Sequence, residues 1–265
     1  MKIIFLFLII ALELFSSVIK APLTSYDKEK NIATIEIDHV DIGMSGFISH
    51  EIAPNHSSIL KNIKVINFDK ENKIATLSVK PFDALRNNAL PSGKWKVSVG
   101  DTAILAFGYT RALLIAPDEK IYYRISKSVN TQWLHPDLFA TILSFRGHPT
   151  PIKEDFVAMS NATAVGLVFI YLNQKIYTVD AKSFAILSIT DAPLVQEKTD
   201  LPFYSRVEHI DAAWWGEGSD ELESYEPHYY ELLAKNNTTN KELYDAIKKS
   251  GKEFAYILKN FDIKE

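Results

Sequence analysis

His135, Asp137, His148 and Asp155 come nearest to a chemical constellation in this chain. Neutral imidazole and carboxylate are ligands that zinc or iron accepts. Their setting favours another role. His135 and Asp137 flank Pro136 at what reads as a helix start, where polar side chains accept backbone N–H groups. His148 stands between Gly147 and Pro149, in turn context. No bound metal is therefore expected, and no His-Glu-x-x-His motif occurs. Cysteine is absent, which removes thiol nucleophiles, Cys-based zinc sites, disulfides and a lipid-bearing cysteine. There is no Gly-x-Ser-x-Gly elbow, Walker loop or Gly-x-Gly-x-x-Gly, and ten glycines in 265 residues leave little for phosphate-cradling loops. Asp83, Asp180 and Asp191 cannot be brought together from sequence. The chain reads as a non-enzyme without a cofactor, and a metal-dependent hydrolase is the remaining catalytic alternative.

The elements around these residues follow from periodicity. Pro136–Phe145 reads as a helix with Leu138, Phe139, Ile142 and Leu143 on one face, opened by proline at its first position. Ile152–Met159 reads as a second helical stretch. Val165–Leu172 and Lys175–Val179 read as strands joined through Asn173-Gln174, and Phe184–Ile189 as a third. Together they predict an ααβββ block.

The first half carries a quiet repeat. Asp27-Lys-Glu-Lys-Asn-Ile-Ala-Thr-Ile-Glu-Ile37 matches Asp69-Lys-Glu-Asn-Lys-Ile-Ala-Thr-Leu-Ser-Val79. Ile42-Gly-Met-Ser-Gly-Phe-Ile48 resembles Val99-Gly-Asp-Thr-Ala-Ile-Leu105. Each copy places turn residues before alternating apolar residues, the pattern of a half-buried strand. Strands are predicted at Ile32–Val40, Phe47–Glu51, Ile63–Phe68, Ile74–Val79, Trp95–Val99, Thr102–Phe107, Ala112–Ile115 and Ile121–Ile125. Gly100-Asp101 is the expected hairpin turn before Thr102. A small barrel or sandwich from about Ile32 to Ile125 follows, and the fold class is α+β. Chance likeness of two amphipathic strands is the competing account of the repeat.

The ends differ in kind. Lys2 and the apolar run Ile3–Leu14, broken only by Glu13, read as an export signal, because a membrane span needs about 20 apolar residues. The mature N-terminus is expected between Ser17 and Pro22. An uncleaved anchor is the alternative. Pro193–Ser224 reads as irregular, and its Trp214-Trp215 pair is expected to dock on the parent domain rather than stand exposed. Pro227–Leu233 reads as a short helix. A longer one is predicted from Asn240 toward Asn260, with Leu243, Ile247, Ser250, Phe254, Ile257 and Phe261 facing inward. The expected organisation is a signal at 1–21, a β-barrel-like region at 22–126, an α+β block at 127–200, and an irregular linker with helices at 201–265. The net charge of −4 excludes nothing about protein partners, but it disfavours nucleic acid and electrostatic attachment to anionic membranes.

The wording of the middle of the chain resembles one family. Gly108-Tyr-Thr-Arg111, Ile115-Ala-Pro117, His135-Pro-Asp-Leu-Phe139, Gly147-His-Pro-Thr-Pro151 with Asp155-Phe156, and Tyr177-Thr-Val-Asp180 carry the likeness. They are similar to the N-terminal domain of bacterial plasminogen-binding surface proteins, from about Ile32 to about Tyr230. The resemblance implies an exported surface or envelope protein with a protein partner, plasminogen. A periplasmic structural or assembly factor is the alternative. Plasminogen accepts lysine through kringle modules, whose pocket takes an ammonium at one end and a carboxylate at the other. The chain ends Lys264-Glu265, so internal lysines would have to supply that group. Lys241, Lys248, Lys249, Lys252 and Lys259 lie on the terminal helix. Lys249 and Glu253 stand four positions apart, Asp245 precedes Lys248 and Lys249, and Lys259 stands near Asp262. Ordinary solvated helix pairs are the competing reading of the same residues.

Overall fold

The computed structural model describes residues 18–84 and 94–263. The chain divides into two compact units, one running to Tyr109 and the other starting at Thr110. The Lys2–Leu14 run and Pro91 lie outside the described residues.

The first unit is a closed barrel. Its strands are β1 (Ile19–Asp27), β2 (Ile32–Glu36), β3 (Ser45–Ala53), β4 (His56–Asp69), β5 (Ile74–Pro81) and β6 (Thr102–Leu105), in the order β1-β2-β5-β4-β3-β6. The repeat seen in the sequence is a duplication of backbone as well. Asp27 pairs with Ile32 across the first hairpin and Asp69 with Ile74 across the second, a constant offset of 42. Both hairpins carry a bulge at the same place, between Leu23 and Ser25 and between Val65 and Asn67. Each loop is closed by its leading aspartate: Asp27 accepts the Glu29 and Lys30 N–H groups, and Asp69 those of Glu71 and Asn72. Each ends on a residue with positive φ, Asn31 at 54° and Lys73 at 56°. Such Asx turns are built by local sequence alone, which is why the repeat was readable.

The two copies also meet each other as mirror partners. Thr34 pairs with its own counterpart Thr76, and Phe47 with its counterpart Ile104. A pseudo-twofold axis therefore passes through both pairings. The Gly43 N–H bonds to the Val65 carbonyl as the Gly100 N–H bonds to that of Leu23. Alternate residues fill the interior, among them Leu23, Ile35, Ile48, Val65, Leu77 and Leu105, all essentially inaccessible to solvent. Gly46 is required where β3 crosses β6: a Cβ there would lie 2.0 Å from the Ile104 carbonyl oxygen.

Several expectations are corrected here. The barrel begins at Ile19, not Ile32, because β1 closes it by pairing with both β2 and β6. Trp95–Val99 is not a strand: residues 94–98 are irregular and Val99-Gly100 is a turn. The expected Trp95–Val99/Thr102 hairpin cannot form, since β1 and β3 already occupy both edges of β6.

The second unit holds the remaining elements. They are β7 (Arg111–Ile115), α1 (Glu119–Ser128), β8 (Gln132–Leu134), α2 (Pro136–Arg146), α3 (Lys153–Thr163), β9 (Leu167–Leu172), β10 (Lys175–Asp180), β11 (Ile186–Asp191), α4 (Tyr225–Asn236), α5 (Lys241–Ser250) and a 3₁₀ helix (Lys252–Asn260). The sheet order is β11-β10-β9-β7-β8, with β7 parallel to β8 and β9 and the other pairs antiparallel. The β-rich region thus stops at Tyr109 rather than at 126, and Ala112–Ile115 belongs to this sheet. Ile121–Ile125, predicted as a strand, is the body of α1. The Asp118 carboxylate accepts the Ile121 N–H at 2.7 Å and opens the helix, whose spacing buries Ile121, Tyr122 and Ile125 together. The Asn173-Gln174 turn forms as expected, with φ of 43° and 61°. A chain of four rings runs through the core: Phe139 lies 4.7 Å from Phe156 and 5.4 Å from Phe203, and Phe156 lies 5.1 Å from Phe184, centre to centre. Leu138 departs from its expected inward place and is half exposed; the buried face of α2 is Pro136, Phe139, Ala140 and Leu143.

Candidate protein-interaction site

The terminal lysines stand on two helical pieces rather than one. Asn240 caps α5 by accepting the Leu243 N–H at 2.9 Å. The helix stops at Gly251, whose φ of 153° is one that residues with a side chain rarely adopt, and the 3₁₀ helix restarts beyond it. The predicted continuous helix to Asn260 is therefore broken. Its seam survives the break: Leu243, Ile247, Phe254 and Ile257 are buried in the core with Tyr230 and Leu233 of α4. Phe261 packs against that cluster from its edge.

Burying that seam leaves Lys241, Lys248, Lys249, Lys252 and Lys259 all exposed. The Lys248 ammonium lies 5.7 Å from the centre of the Tyr244 ring. Lys249 and Glu253, expected one turn apart, fall on opposite sides of the Gly251 break. The Glu253 carboxylate folds back on Gly251, so close that a Cβ there would meet it at 2.3 Å. The ammonium–carboxylate ladder expected from spacing is thus interrupted at the Lys249–Glu253 step.

The histidine–aspartate set divides into two structural pairs at the two ends of α2, about 16 Å of helix apart. His135 caps the N-terminus, its Nδ1 accepting the Asp137 N–H at 3.2 Å. Asp137 accepts the Arg206 backbone N–H and its Nε–H, each at 2.8 Å. Partial burial pushes the Asp137 carboxyl up. The Arg206 hydrogen bonds and positive charge outweigh this and hold it below the ordinary aspartate value. At the other end the buried Asp155 carboxylate binds Arg146, His148 Nδ1 at 2.8 Å and the Ile152 N–H at 2.8 Å. That carboxylate is occupied in holding the α2–α3 connection together. Among the described residues no group of three or more His, Asp or Glu side chains could hold a metal ion.

Sequence reasoning also misplaced the tryptophan pair. Trp214 is 99% exposed and Trp215 85% exposed, so neither docks on the parent domain. The doublet itself was the only local signal, and a doublet does not say which way the loop turns.

The comparisons with known proteins agree with this architecture in extent. The family model described as plasminogen-binding protein pgbA N-terminal matches residues 18–233. Curated relatives are the plasminogen-binding protein PgbA of Helicobacter pylori strain J99 / ATCC 700824 and that of strain ATCC 700392 / 26695. Each is 27% identical over 215 residues, covering 79% of this chain and 46% of the relative. The chain thus spans about half the length of the curated relatives it matches. No solved structure matches it. The match starts at the edge of β1 and ends inside α4, so it takes in the duplicated barrel and the five-stranded sheet, and on that extent the chain belongs to the PgbA N-terminal family.

Proposed function

We propose that this chain is an exported, non-enzymatic binding protein of the bacterial cell envelope or surface, with plasminogen as its protein partner. The observation that carries this reading is the family match over residues 18–233, to relatives named for plasminogen binding. The exposed Lys241, Lys248, Lys249, Lys252 and Lys259 are the proposed contacts, since a kringle pocket needs an accessible ammonium. No helix among the described residues is long and apolar enough to cross a membrane.

The test must keep the terminal helices. Leu243, Ile247, Phe254 and Ile257 each stabilise the core by about 1.5–3 kcal/mol. Removing the segment from Lys241 onward would therefore confound binding with unfolding. Replacing the five lysines by glutamine keeps the seam intact. Surface-plasmon binding to immobilised plasminogen should fall sharply in that variant, and a free lysine analogue should compete with the parent protein. Equal binding in all conditions would remove the lysine assignment.

A second reading is favoured by one observation: the family match ends at residue 233, before any of the five lysines. On this reading the shared domain is an envelope structural or assembly module that binds another envelope component. Protease added to intact cells distinguishes the two, because a surface protein is cleaved and a periplasmic one is protected.

A further inference from the structure

The Trp214-Trp215 loop is exposed, yet its backbone is held from both sides. On the approach, the Ala213 N–H bonds to the Gly147 carbonyl at 2.8 Å. Asp211 bonds to Ser144 twice, through its N–H at 3.0 Å and its carboxylate at 2.8 Å. On the return, the Thr150 N–H bonds to the Gly218 carbonyl at 3.1 Å, and the Thr150 hydroxyl donates to the Asp220 carbonyl at 2.7 Å. Both clips seat on the α2–α3 connection, which the Asp155 carboxylate fixes through Arg146, His148 and the Ile152 N–H.

Glycine is needed at both clips. A Cβ on Gly147 would lie 2.6 Å from Ala213, and one on Gly218 would lie 2.8 Å from the Thr150 carbonyl oxygen. Phe145, 89% exposed, belongs to the last turn of α2 between the anchor residues Ser144 and Gly147. A soluble surface gains nothing by holding two exposed tryptophans on a pre-ordered loop. Large rigid aromatics with little entropy left to lose are what a binding hot spot needs.

The charge carried by the loop itself selects the partner; on one flank Glu217 and Gly218 share a separate groove with Lys153 of α3 and Lys235 of α4. Residues 208–223 contain Glu208, Asp211, Glu217, Asp220, Glu221 and Glu223, and no lysine or arginine. All six are exposed. At the root of the loop, where Ile210 enters and Glu221 and Leu222 leave, lies a groove of about 250 Å³ with apolar walls from Pro149, Leu201 and Leu222 and with Glu208 and Glu221 on its lining; neither tryptophan lines it. No lysine or arginine lines it. Apolar walls with carboxylates match a side chain that has an aliphatic stem and a cationic head. Tryptophan faces attract the same cations.

We propose that the Trp214-Trp215 loop and the groove beside it form a docking site for an extended, lysine- or arginine-bearing segment of a partner protein. This site is separate from the lysine face of α5 and the 3₁₀ helix, and it does not rest on the plasminogen reading. The acidic loop would repel an acidic partner and steer a basic one.

The test uses the whole exported chain and two acetylated, amidated hexapeptides, Lys-Leu-Arg-Leu-Lys-Leu and Glu-Leu-Asp-Leu-Glu-Leu. The basic peptide should bind, blue-shift the tryptophan emission and lose affinity as salt rises. The double variant Trp214→Ala/Trp215→Ala should bind it about tenfold more weakly or worse. Because both side chains are exposed, its circular dichroism and melting should match the parent. Glu208→Gln/Glu221→Gln should weaken binding and flatten the salt dependence while keeping the tryptophans. Equal binding of the two peptides, or unchanged binding of the basic peptide in the tryptophan variant, would overturn the proposal. So would a concentration-dependent dimer in sedimentation velocity that the tryptophan variant abolishes, since the occupant would then be a second copy of this chain.

Discussion

The carbonyl of Gly147 accepts the N–H of Ala213 at 2.8 Å, and the same glycine has no room for a side chain because Ala213 occupies the space a Cβ would take. One contact thus joins the C-terminal cap of α2 to a loop more than sixty residues further along the chain. Gly147 also needs a φ of 71° to end the helix. Two demands fall on one position, conformation and space, and they can be separated by substitution.

Gly147→Ala should destabilise the protein by about 1–3 kcal/mol, combining positive φ with the clash. Gly147→Asn tolerates the left-handed conformation but still carries a Cβ. It should lose nearly as much if the space against Ala213 is the larger demand, and clearly less if conformation is. Thermal melting of the three proteins decides between these outcomes. Near-parent stability in both variants would show that the loop simply moves away.

His228 gives a pH dependence. Burial holds its imidazole below the ordinary value of 6.5, against a smaller upward pull from its hydrogen bond to the Pro151 carbonyl at 2.9 Å. A histidine with a depressed folded value binds its proton more readily once unfolded. Stability should therefore be full above 6.5 and should fall as pH drops through that value toward the folded one. His228→Gln should flatten this acid limb, measured as urea midpoint against pH. An unchanged limb would assign it to other groups.

The mature N-terminus is open to a sharper expectation than the Ser17–Pro22 window. Ile19, Lys20 and Ala21 pair with Leu105, Ile104 and Ala103 in the barrel. Cleavage after Ala21 would strip these ladder bonds and open β1. The native protein should therefore begin no later than Ile19, which N-terminal sequencing reads directly. A start at Met1 would reject the export signal altogether, and a start at Pro22 would show that the barrel tolerates a shortened β1.

Metal content tests the roles given to the histidine pairs. Because His135 caps α2 and His148 serves the Asp155 network, purified protein should carry no stoichiometric zinc or iron. Elemental analysis giving one metal per chain, lost in His135→Ala, would reverse this and revive the hydrolase alternative. A His135→Ala protein with unchanged metal content but a lower melting temperature is the expected outcome, because the cap is lost.

What the sequence determined by itself is what local chemistry dictates. The paired Asp27 and Asp69 turns, the Asn173-Gln174 hairpin, the His135-Pro136 helix start and the inward seam from Leu243 to Ile257 each depend on residues a few positions apart. Those signals survive any tertiary arrangement. The tertiary structure decided everything that depended on competition for a partner. Ile19–Asp27 became a strand because it is the piece that closes the barrel onto β6, and Trp95–Val99 did not because that edge was already taken. Ile121–Ile125 is too short for its period to be read, and the Asp118 cap settled it as helix. The exposure of Trp214 and Trp215 was invisible in sequence for the same reason. The residues that anchor that loop, Ser144, Gly147 and Thr150, are far from it along the chain, and only folding brings them beside it.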